Sequence, residues 1–221
     1  MGLWDGLIKI FSDLLQYSYF LTVKIGIPSY GLAIIIITIA FKIVLYPLTV
    51  KQMKSMKAMQ EIGPKVKQIQ EKYKDKPEKS QQAVMELYKQ HGVNPMAGCL
   101  PLLVQMPILI AFYQALLHFP YSNPEHAGFL WFVQNLSKPD PWVLPILAAA
   151  TTFLQQKVTT TSNDPTQRTM LYVMPLFIGW MARSFPAGLA LYWVVFNIAG
   201  TIQQIFINRM PVKVREEGLG K

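Results

Sequence analysis

A single lysine, Lys42, lies within an apolar run that is long enough to cross a lipid bilayer. The run covers the 20 residues 31–50, which would form an α-helix about 30 Å long, the thickness of the hydrocarbon core. An ammonium group at that depth costs roughly 3 kcal/mol on insertion scales. Lys42 must therefore find an acidic partner, face water inside the protein, or extend its side chain to the membrane interface.

Neutral polar side chains occur in the apolar runs of this chain, which contain no aspartate or glutamate. Thr38 precedes Lys42 by one helical turn and shares its helix face. The other candidates for a polar site are three glutamines, one tryptophan and one asparagine: Gln105, Gln155, Gln156, Trp193 and Asn197. Hydrogen bonding between helices explains each of them singly. Because Lys42 has no acidic partner in these runs, the set as a whole predicts a polar cavity around the lysine.

The composition indicates a membrane protein rather than an enzyme. Of 221 residues, 52% are hydrophobic and 15% are charged, whereas soluble domains carry about 25% charged residues. The three histidines are far apart, the one cysteine lies in an apolar run, and no glycine-rich phosphate loop is present. We therefore expect no cofactor, no metal site and no enzymatic activity.

Hydropathy divides the chain into five predicted transmembrane helices and the segments between them. The helices are predicted at residues 29–50, 96–118, 142–157, 167–183 and 187–208. Residues 1–28 form an amphipathic segment, which we expect to lie in the outer membrane interface, to pack against the bundle, or both. The outer loop 119–141 carries Trp131 and Phe132, which are typical of an interfacial anchor.

The distribution of lysine and arginine predicts the orientation in the membrane. Sixteen of these residues fall in the segment 51–95, in or beside the loop 158–166, and in the basic tail 209–221. Four lie on the opposite side, and Lys42 lies within the membrane. By the positive-inside rule, the N-terminus is outside and the C-terminus is in the cytoplasm.

The segment 51–95 has apolar residues at helical spacing on both sides of a turn at residues 75–78, which predicts a cytoplasmic helical hairpin. Four of its lysines are candidates for binding anionic headgroups at about 1 kcal/mol each, or for binding ribosomal RNA: Lys65, Lys67, Lys72 and Lys74. Met56 and Met59 add an adaptable apolar ridge. The alternative interpretation is a solvated helix face with ordinary packing inside the hairpin.

Three long stretches carry more specific motifs. They are YGLAIIIITIAFKIVLYPL at 30–48, GVNPMAGCLPLLVQMPILIAFYQ at 92–114 and FPAGLALYWVVFNIAGTIQQ at 185–204. Together with residues 64–92, which match a cytoplasmic hairpin, they resemble the YidC family of bacterial membrane protein insertases. The resemblance extends from residue 30 to residue 210 and is to the compact form of the family, which has five spans.

The resemblance implies an all-α polytopic fold, in which five helices surround a hydrophilic groove. In the family this groove opens to the cytoplasm and to lipid but not to the outside. The intramembrane cation of the family, usually arginine, falls on Lys42 here. The groove glutamine falls on Gln155 or Gln156, and the groove aromatic residue falls on Trp193.

The resemblance also implies insertion of nascent membrane proteins into the bacterial cell membrane. Acidic residues in the polar tail of a substrate would be attracted to Lys42. The hairpin 51–95 would receive the substrate from the ribosome or the cytosol, through Met56, Met59, Lys65, Lys67, Lys72 and Lys74. The implied partners are nascent membrane proteins, the ribosome, the Sec translocon and anionic lipids, without specific nucleic-acid recognition. The alternatives are a small anion channel or carrier that uses Lys42 as an anion site, and a structural membrane scaffold.

Overall fold

The computed structural model describes residues 2–93, 100–121, 123–130, 133–160 and 165–210. Within these ranges the chain forms nine α-helices and no β-strand, which confirms the expected all-α class. The helices are α1 (Leu3–Lys24), α2 (Tyr30–Val44), α3 (Tyr46–Glu61), α4 (Gly63–Lys72), α5 (Pro77–Gln90), α6 (Leu100–Leu117), α7 (Val143–Thr159), α8 (Pro165–Ala182) and α9 (Ala187–Asn208). A short 3-10 helix covers Pro124–Ala127.

Some predicted features lie outside the described residues. These are the interfacial anchor at Trp131 and Phe132, the end of the predicted hairpin at 94–95, the centre of the loop at 161–164, and the tail from residue 211 onward. Their predictions are unchanged by the structure.

The helices form two compact units. The first, here called the bundle unit, comprises Met1–Leu45 and Gln105–Gln203. The second, here called the hairpin unit, comprises Tyr46–Val104 and Gln204–Lys221. All the polar residues predicted for the intramembrane site belong to the bundle unit, and all the residues predicted to receive substrate belong to the hairpin unit.

The predicted helix at 29–50 is interrupted at Leu45, because α2 ends at Val44 and α3 begins at Tyr46. Pro47 accounts for the interruption. Proline lacks a backbone N–H, its ring clashes with the carbonyl four residues earlier, and it disfavours the helical conformation in the residue before it. Hydropathy did not predict this break, since the residues around Pro47 are apolar.

The lengths of the apolar helices bear on the predicted number of spans. Among the described helices, α9 alone is long and apolar enough to cross a membrane, and α2 and α3 meet the same criterion only when they are taken together. The apolar segments Gln105–Leu117 and Thr169–Ala182 are shorter. The count of five spans therefore stays a prediction.

Helix α1 packs along α2 in the opposite direction. Near the connection between them, the Tyr19 ring stacks on the Tyr30 ring, with centroids 4.0 Å apart. Farther along both helices, the Phe11 and Phe41 rings lie 5.0 Å apart. Phe11, Leu15 and Tyr19 are buried and occupy one face of α1. The amphipathic segment thus packs against α2 within the bundle unit, and its position relative to the membrane interface remains a prediction.

Helices α7 and α8 approach each other through small residues. A Cβ atom on Gly179 would lie 2.9 Å from Ala149 Cβ and 3.1 Å from the carbonyl oxygen of Pro145. Glycine therefore permits a backbone approach that any side chain would prevent, as is common between membrane helices.

Asp140 stabilises the start of α7. Its buried carboxylate accepts hydrogen bonds from three backbone N–H groups, those of Trp142, Val143 and Leu144, at 2.8, 3.1 and 3.1 Å. These N–H groups have no partner within the helix, and the negative charge lies at the positive end of the helix dipole. Asp140 and the close packing on α8 together position the polar face of α7.

The hairpin unit is built around helices α4 and α5, which pack against each other. A small apolar cluster of Ala58, Ile62 and Val93 lies at the base of the pair. Helix α3 ends before the Gly63–Pro64 pair, because Pro64 cannot supply the N–H that a continuous helix requires. The predicted hairpin thus contains three helices rather than two.

Candidate functional site

Lys42 lies in the last turn of α2 with only 6% of its surface exposed. Its Nζ is 3.4 Å from the centroid of the Phe196 ring on α9. Within the described part of the chain, Lys42 makes no ion pair. The cation is therefore held by the negative face of an aromatic ring, an interaction worth about 2 kcal/mol when it is shielded from water.

Thr38 is fully buried one turn before Lys42. Its hydroxyl donates to the carbonyl oxygen of Ile34 at 2.6 Å, which is the usual bond of a threonine to its own helix. The structure thus places Thr38 on the same helix face as Lys42, as predicted, but its hydrogen is already committed to the backbone.

Gly200 is the position on α9 where the side chains of Lys42 and Gln155 come together. A Cβ atom on Gly200 would lie 3.2 Å from Lys42 Nζ and 2.5 Å from Gln155 Nε2. Of the two glutamines at the end of α7, the structure thus places Gln155 beside the lysine. For Gln156 the described residues supply no side-chain hydrogen bond, and its backbone carbonyl accepts from Thr160.

A chain of hydrogen bonds connects Gln155 to α9. One orientation of the Asn197 side-chain amide gives both its oxygen and its nitrogen a hydrogen-bond partner. In that orientation, Asn197 Nδ2 donates to Gln155 Oε1 at 2.6 Å. Its Oδ1 then accepts from Thr152 Oγ1 at 2.9 Å. Trp193 Nε1 donates to the same threonine hydroxyl at 3.0 Å. Three of the predicted site residues therefore form one network, and Thr152 links them.

Gln105 belongs to a different contact. Its Nε2 donates to the Tyr192 hydroxyl at 2.5 Å, and the buried Tyr192 ring packs on Phe112 with centroids 4.9 Å apart. The polar residue of α6 thus joins α6 to α9 and does not reach the network around Lys42. This outcome matches the alternative interpretation, in which a polar side chain connects two helices.

Three oxygens on the turn of α9 that follows Gly200 are buried without a hydrogen-bond partner among the described residues: Thr201 Oγ1, Gln203 Oε1 and Gln204 Oε1. Gln203 and Gln204 follow Gly200 by three and four residues, so these two glutamines and Gly200 lie on one face of α9. A buried oxygen left unpaired costs about 1–3 kcal/mol unless water or a ligand reaches it. The polar face of α9 therefore continues beyond the lysine with unused hydrogen-bonding capacity.

The sequence did not single out Thr152, Phe196 or Gly200. Thr152 could have been found, because it precedes Gln155 by three residues and so shares its helix face. Phe196 and Gly200 carried no polar signature in an apolar run. The described residues contain no group of three or more His, Cys, Asp or Glu that could hold a metal ion.

The candidate residues of the hairpin unit fall into two groups. Lys65 Nζ donates to His91 Nε2 at 2.9 Å, while His91 Nδ1 donates to the carbonyl oxygen of Leu87 at 2.9 Å. Lys65 is as exposed as the other three lysines but donates this hydrogen bond within the hairpin. The other three lysines, Lys67, Lys72 and Lys74, are exposed. Met56 and Met59 are half-buried, and Met59 packs on the apolar cluster at the hairpin base.

An apolar helical bundle that buries a lysine without an acidic neighbour is typical of an integral membrane protein with an internal polar site. The model of the 60Kd inner membrane protein family matches residues 20–214, and the chain belongs to this family.

The chain is similar to proteins named membrane protein insertase. It is 44% identical to membrane protein insertase YidC 1 of Halalkalibacterium halodurans, over 94% of this chain and 79% of that protein. It is 46% identical to membrane protein insertase YidC of Oceanobacillus iheyensis, over 94% of this chain and 84% of that protein. The resemblance to the YidC family is thus confirmed, and with it the class of helical membrane proteins.

One solved structure supports the same fold. The crystal structure of active YidC insertase with its first transmembrane domain resolved matches with a TM-score of 0.73 and 25% identity. The match covers 96% of this chain and 48% of that chain.

Proposed function

We propose that this protein is a membrane protein insertase, which moves the polar tails of nascent membrane proteins across the bacterial cell membrane and releases their apolar helices into lipid. Two relatives that share 44% and 46% of the aligned residues carry the name insertase, and the alignment covers most of each relative. The observation that carries the proposal is the meeting of Lys42 and Gln155 at Gly200, inside an apolar bundle.

The proposed site is a hydrophilic groove that is open to the cytoplasm and to lipid and closed to the outside. Such a groove shortens the apolar distance that a polar tail must cross. Thr201 and Gln203 support it, because their unpaired buried oxygens would find hydrogen-bond partners in the water of such a groove. Trp193 hydrogen-bonds the polar network through its ring nitrogen and also lines a small apolar cavity beside Leu109 and Ile178. A polar surface and an apolar surface therefore both adjoin Trp193.

In the proposed mechanism, Lys42 attracts an acidic residue of the substrate tail into the groove. The lysine lies against Phe196 and has no carboxylate to release first, since the described residues provide none. The apolar helix of the substrate then partitions into lipid. Burial of its apolar surface releases about 25 cal/mol per Å², so the step needs no nucleotide.

The hairpin unit is proposed to receive substrate from the ribosome or the cytosol. Lys67, Lys72 and Lys74 support this role because they are exposed and lie on or just after one short helix. Their charges would attract anionic lipid headgroups or ribosomal RNA. We further propose five spans, with the N-terminus outside and the C-terminus in the cytoplasm. The Sec translocon is a proposed partner.

The test is insertion by the purified protein in liposomes that contain no other protein. The substrate is a single-span protein whose translocated tail carries one aspartate. Lys42→Glu should lower its insertion at least about tenfold, since one charge-assisted contact is replaced by repulsion. Lys42→Arg should preserve insertion, and Lys51→Glu, the same reversal at an exposed lysine of the hairpin unit, should have little effect.

The same liposomes separate insertion from the main alternative. A chloride flux that depends on Lys42, in vesicles where no substrate is inserted, would support an anion channel or carrier instead. Normal insertion by Lys42→Glu would contradict the role of the lysine.

A further inference from the structure

An exposed apolar stripe on α8 ends at a positive charge. Four exposed apolar residues follow one another at helical spacing along the stripe: Val173, Leu176, Phe177 and Trp180. Arg183 comes three residues after Trp180, directly beyond the last residue of α8, and is exposed as well. In a membrane protein such an exposed apolar face contacts lipid chains. The change from Trp180 to Arg183 is therefore typical of the level at which hydrocarbon gives way to headgroups.

Arg183 is held by an aromatic ring of the neighbouring helix. Its guanidinium carbon Cζ lies 4.8 Å from the centroid of the Trp142 ring, at the start of α7. The Trp142 side chain is 61% exposed, so the pair lies on the surface of the bundle unit. A cation–π contact supplies no acceptor oxygen, and the N–H donors of the guanidinium therefore still require oxygen acceptors.

The two side chains extend from a corner that backbone hydrogen bonds hold together. The corner consists of residues 136–142, which lead into α7, and residues 183–188, which connect α8 to α9. The N–H of Ala187 donates to the carbonyl oxygen of Lys138 at 2.8 Å, and the N–H of Gly188 donates to that of Leu136 at 2.8 Å. These bonds bring Lys138 into the same corner as Arg183.

The exposed charges of this corner are all positive. Its three charged residues are Lys138, Asp140 and Arg183. Asp140 is buried, and its carboxylate accepts from three backbone N–H groups at the positive end of α7. Lys138 and Arg183 are exposed, and within the described ranges neither side chain makes an ion pair. The corner therefore presents two cations beside an apolar stripe.

We propose that Arg183, held on the Trp142 ring, binds the phosphate of an anionic phospholipid whose acyl chains lie along the exposed stripe of α8. A guanidinium donates two parallel hydrogen bonds to a phosphate group. Lys138 adds a second positive charge, which favours a headgroup without a cation of its own. A free phosphate ion would make no use of the stripe, whereas a lipid continues from phosphate into hydrocarbon. The inference goes beyond the proposed insertase function, and the site is separate from the hairpin lysines.

The experiment is native mass spectrometry of the full chain in detergent, which resolves the protein with no lipid, one lipid or several lipids bound. The probes are phosphatidylglycerol and phosphatidylcholine with identical acyl chains, so they differ only in the headgroup. The measured quantity is the ratio of their dissociation constants for the first bound lipid. The wild type should bind phosphatidylglycerol about tenfold more tightly, and Arg183→Gln should lower this preference to about twofold.

Lys24→Gln is the matched control, because it removes the same charge from an exposed residue at the end of α1 in the bundle unit. It should keep the tenfold preference. Trp142→Leu retains the arginine but removes the ring that holds it, so the preference should fall about threefold. Arg183→Lys retains the charge without the planar fork and should give an intermediate preference. Because Arg183 is exposed, both of its variants should melt near the wild-type temperature.

Glycerol 3-phosphate distinguishes a lipid from a free phosphate compound as the occupant. It carries the phosphate without acyl chains and should not displace bound phosphatidylglycerol at the same phosphate concentration. Displacement would overturn the assignment of a lipid. The inference is also overturned if the wild type binds the two lipids equally. Equal losses of preference in Arg183→Gln and Lys24→Gln would overturn it too, since they would show attraction by net charge alone.

Discussion

Lys42 on α2 and Phe196 on α9 form a cation–π pair in the bundle unit, with Nζ 3.4 Å from the ring centroid. The ring attracts the ammonium group without neutralising it. A carboxylate forms a stronger, charge-assisted contact with the same group, so under the proposed function an acidic residue of the substrate would bind the lysine at the expense of the ring. The pair thus accounts for how a lysine without an acidic neighbour is retained in the bundle unit.

The first prediction concerns this pair. Phe196→Leu keeps an apolar side chain but removes the negative ring face, so it should destabilise the protein by about 2 kcal/mol. The loss should disappear when Lys42 is already methionine, which a double-mutant cycle of thermal unfolding in detergent would show. Phe206→Leu, at an exposed phenylalanine of the same helix, is the control. Equal losses with and without Lys42 would contradict the pair.

The second prediction concerns the start of α7. Asp140→Ala removes the carboxylate that accepts from three backbone N–H groups, and the free energy of unfolding should fall by about 1–2 kcal/mol. Asp140→Asn keeps one acceptor oxygen and should cost less. Thermal unfolding of the wild type, Asp140→Ala and Asp140→Asn measures the order of their stabilities. An alanine variant as stable as the wild type would show that water replaces the carboxylate at no cost.

The third prediction concerns the base of the hairpin unit. Lys65→Met leaves the buried His91 Nε2 without its donor, which should cost about 1–3 kcal/mol. Amide hydrogen exchange in α4 and α5 should therefore become faster. Lys67→Met removes an exposed lysine two residues away and should leave exchange unchanged. Equal exchange in the two variants would assign Lys65 to the solvated face with Lys67.

The fourth prediction concerns the buried Gly31 at the start of α2. A Cβ atom there would overlap the ring of Phe129, so Gly31→Ala should destabilise the bundle unit by about 1–3 kcal/mol. Gly6→Ala on α1 adds the same methyl group where nothing lies within 4 Å and should be neutral or stabilising. The melting temperatures of both variants test the contrast. A stable Gly31→Ala protein would mean that Phe129 moves aside without cost.

Much of the helical architecture could be predicted from local sequence. The predicted helix 187–208 coincides with α9, and the prediction 142–157 differs from α7 by no more than two residues at either end. Helix ends depend on nearby prolines, glycines and polarity, which the sequence displays directly. The break at Leu45 was not predicted, because an apolar run carries no hydropathy signal of a change in direction.

The candidate site was predicted in composition but only partly in arrangement. Lys42, Gln155, Trp193 and Asn197 lie together in the bundle unit, either in direct hydrogen bonds or around Gly200. Gln105 has the same chemistry but binds Tyr192 instead. Which polar residues meet depends on how each helix is rotated about its own axis, and the sequence does not specify that rotation.

The sequence by itself determined that this protein is all-helical, that it belongs among membrane insertases of the YidC type, and that one lysine lies in an apolar run. Those properties follow from hydropathy, helical periodicity and extended motifs, all of which are read along the chain. Tertiary structure alone decided that the lysine rests on Phe196 and meets Gln155 at Gly200. A phenylalanine and a glycine acquire that meaning only when three helices, distant in sequence, bring their faces together.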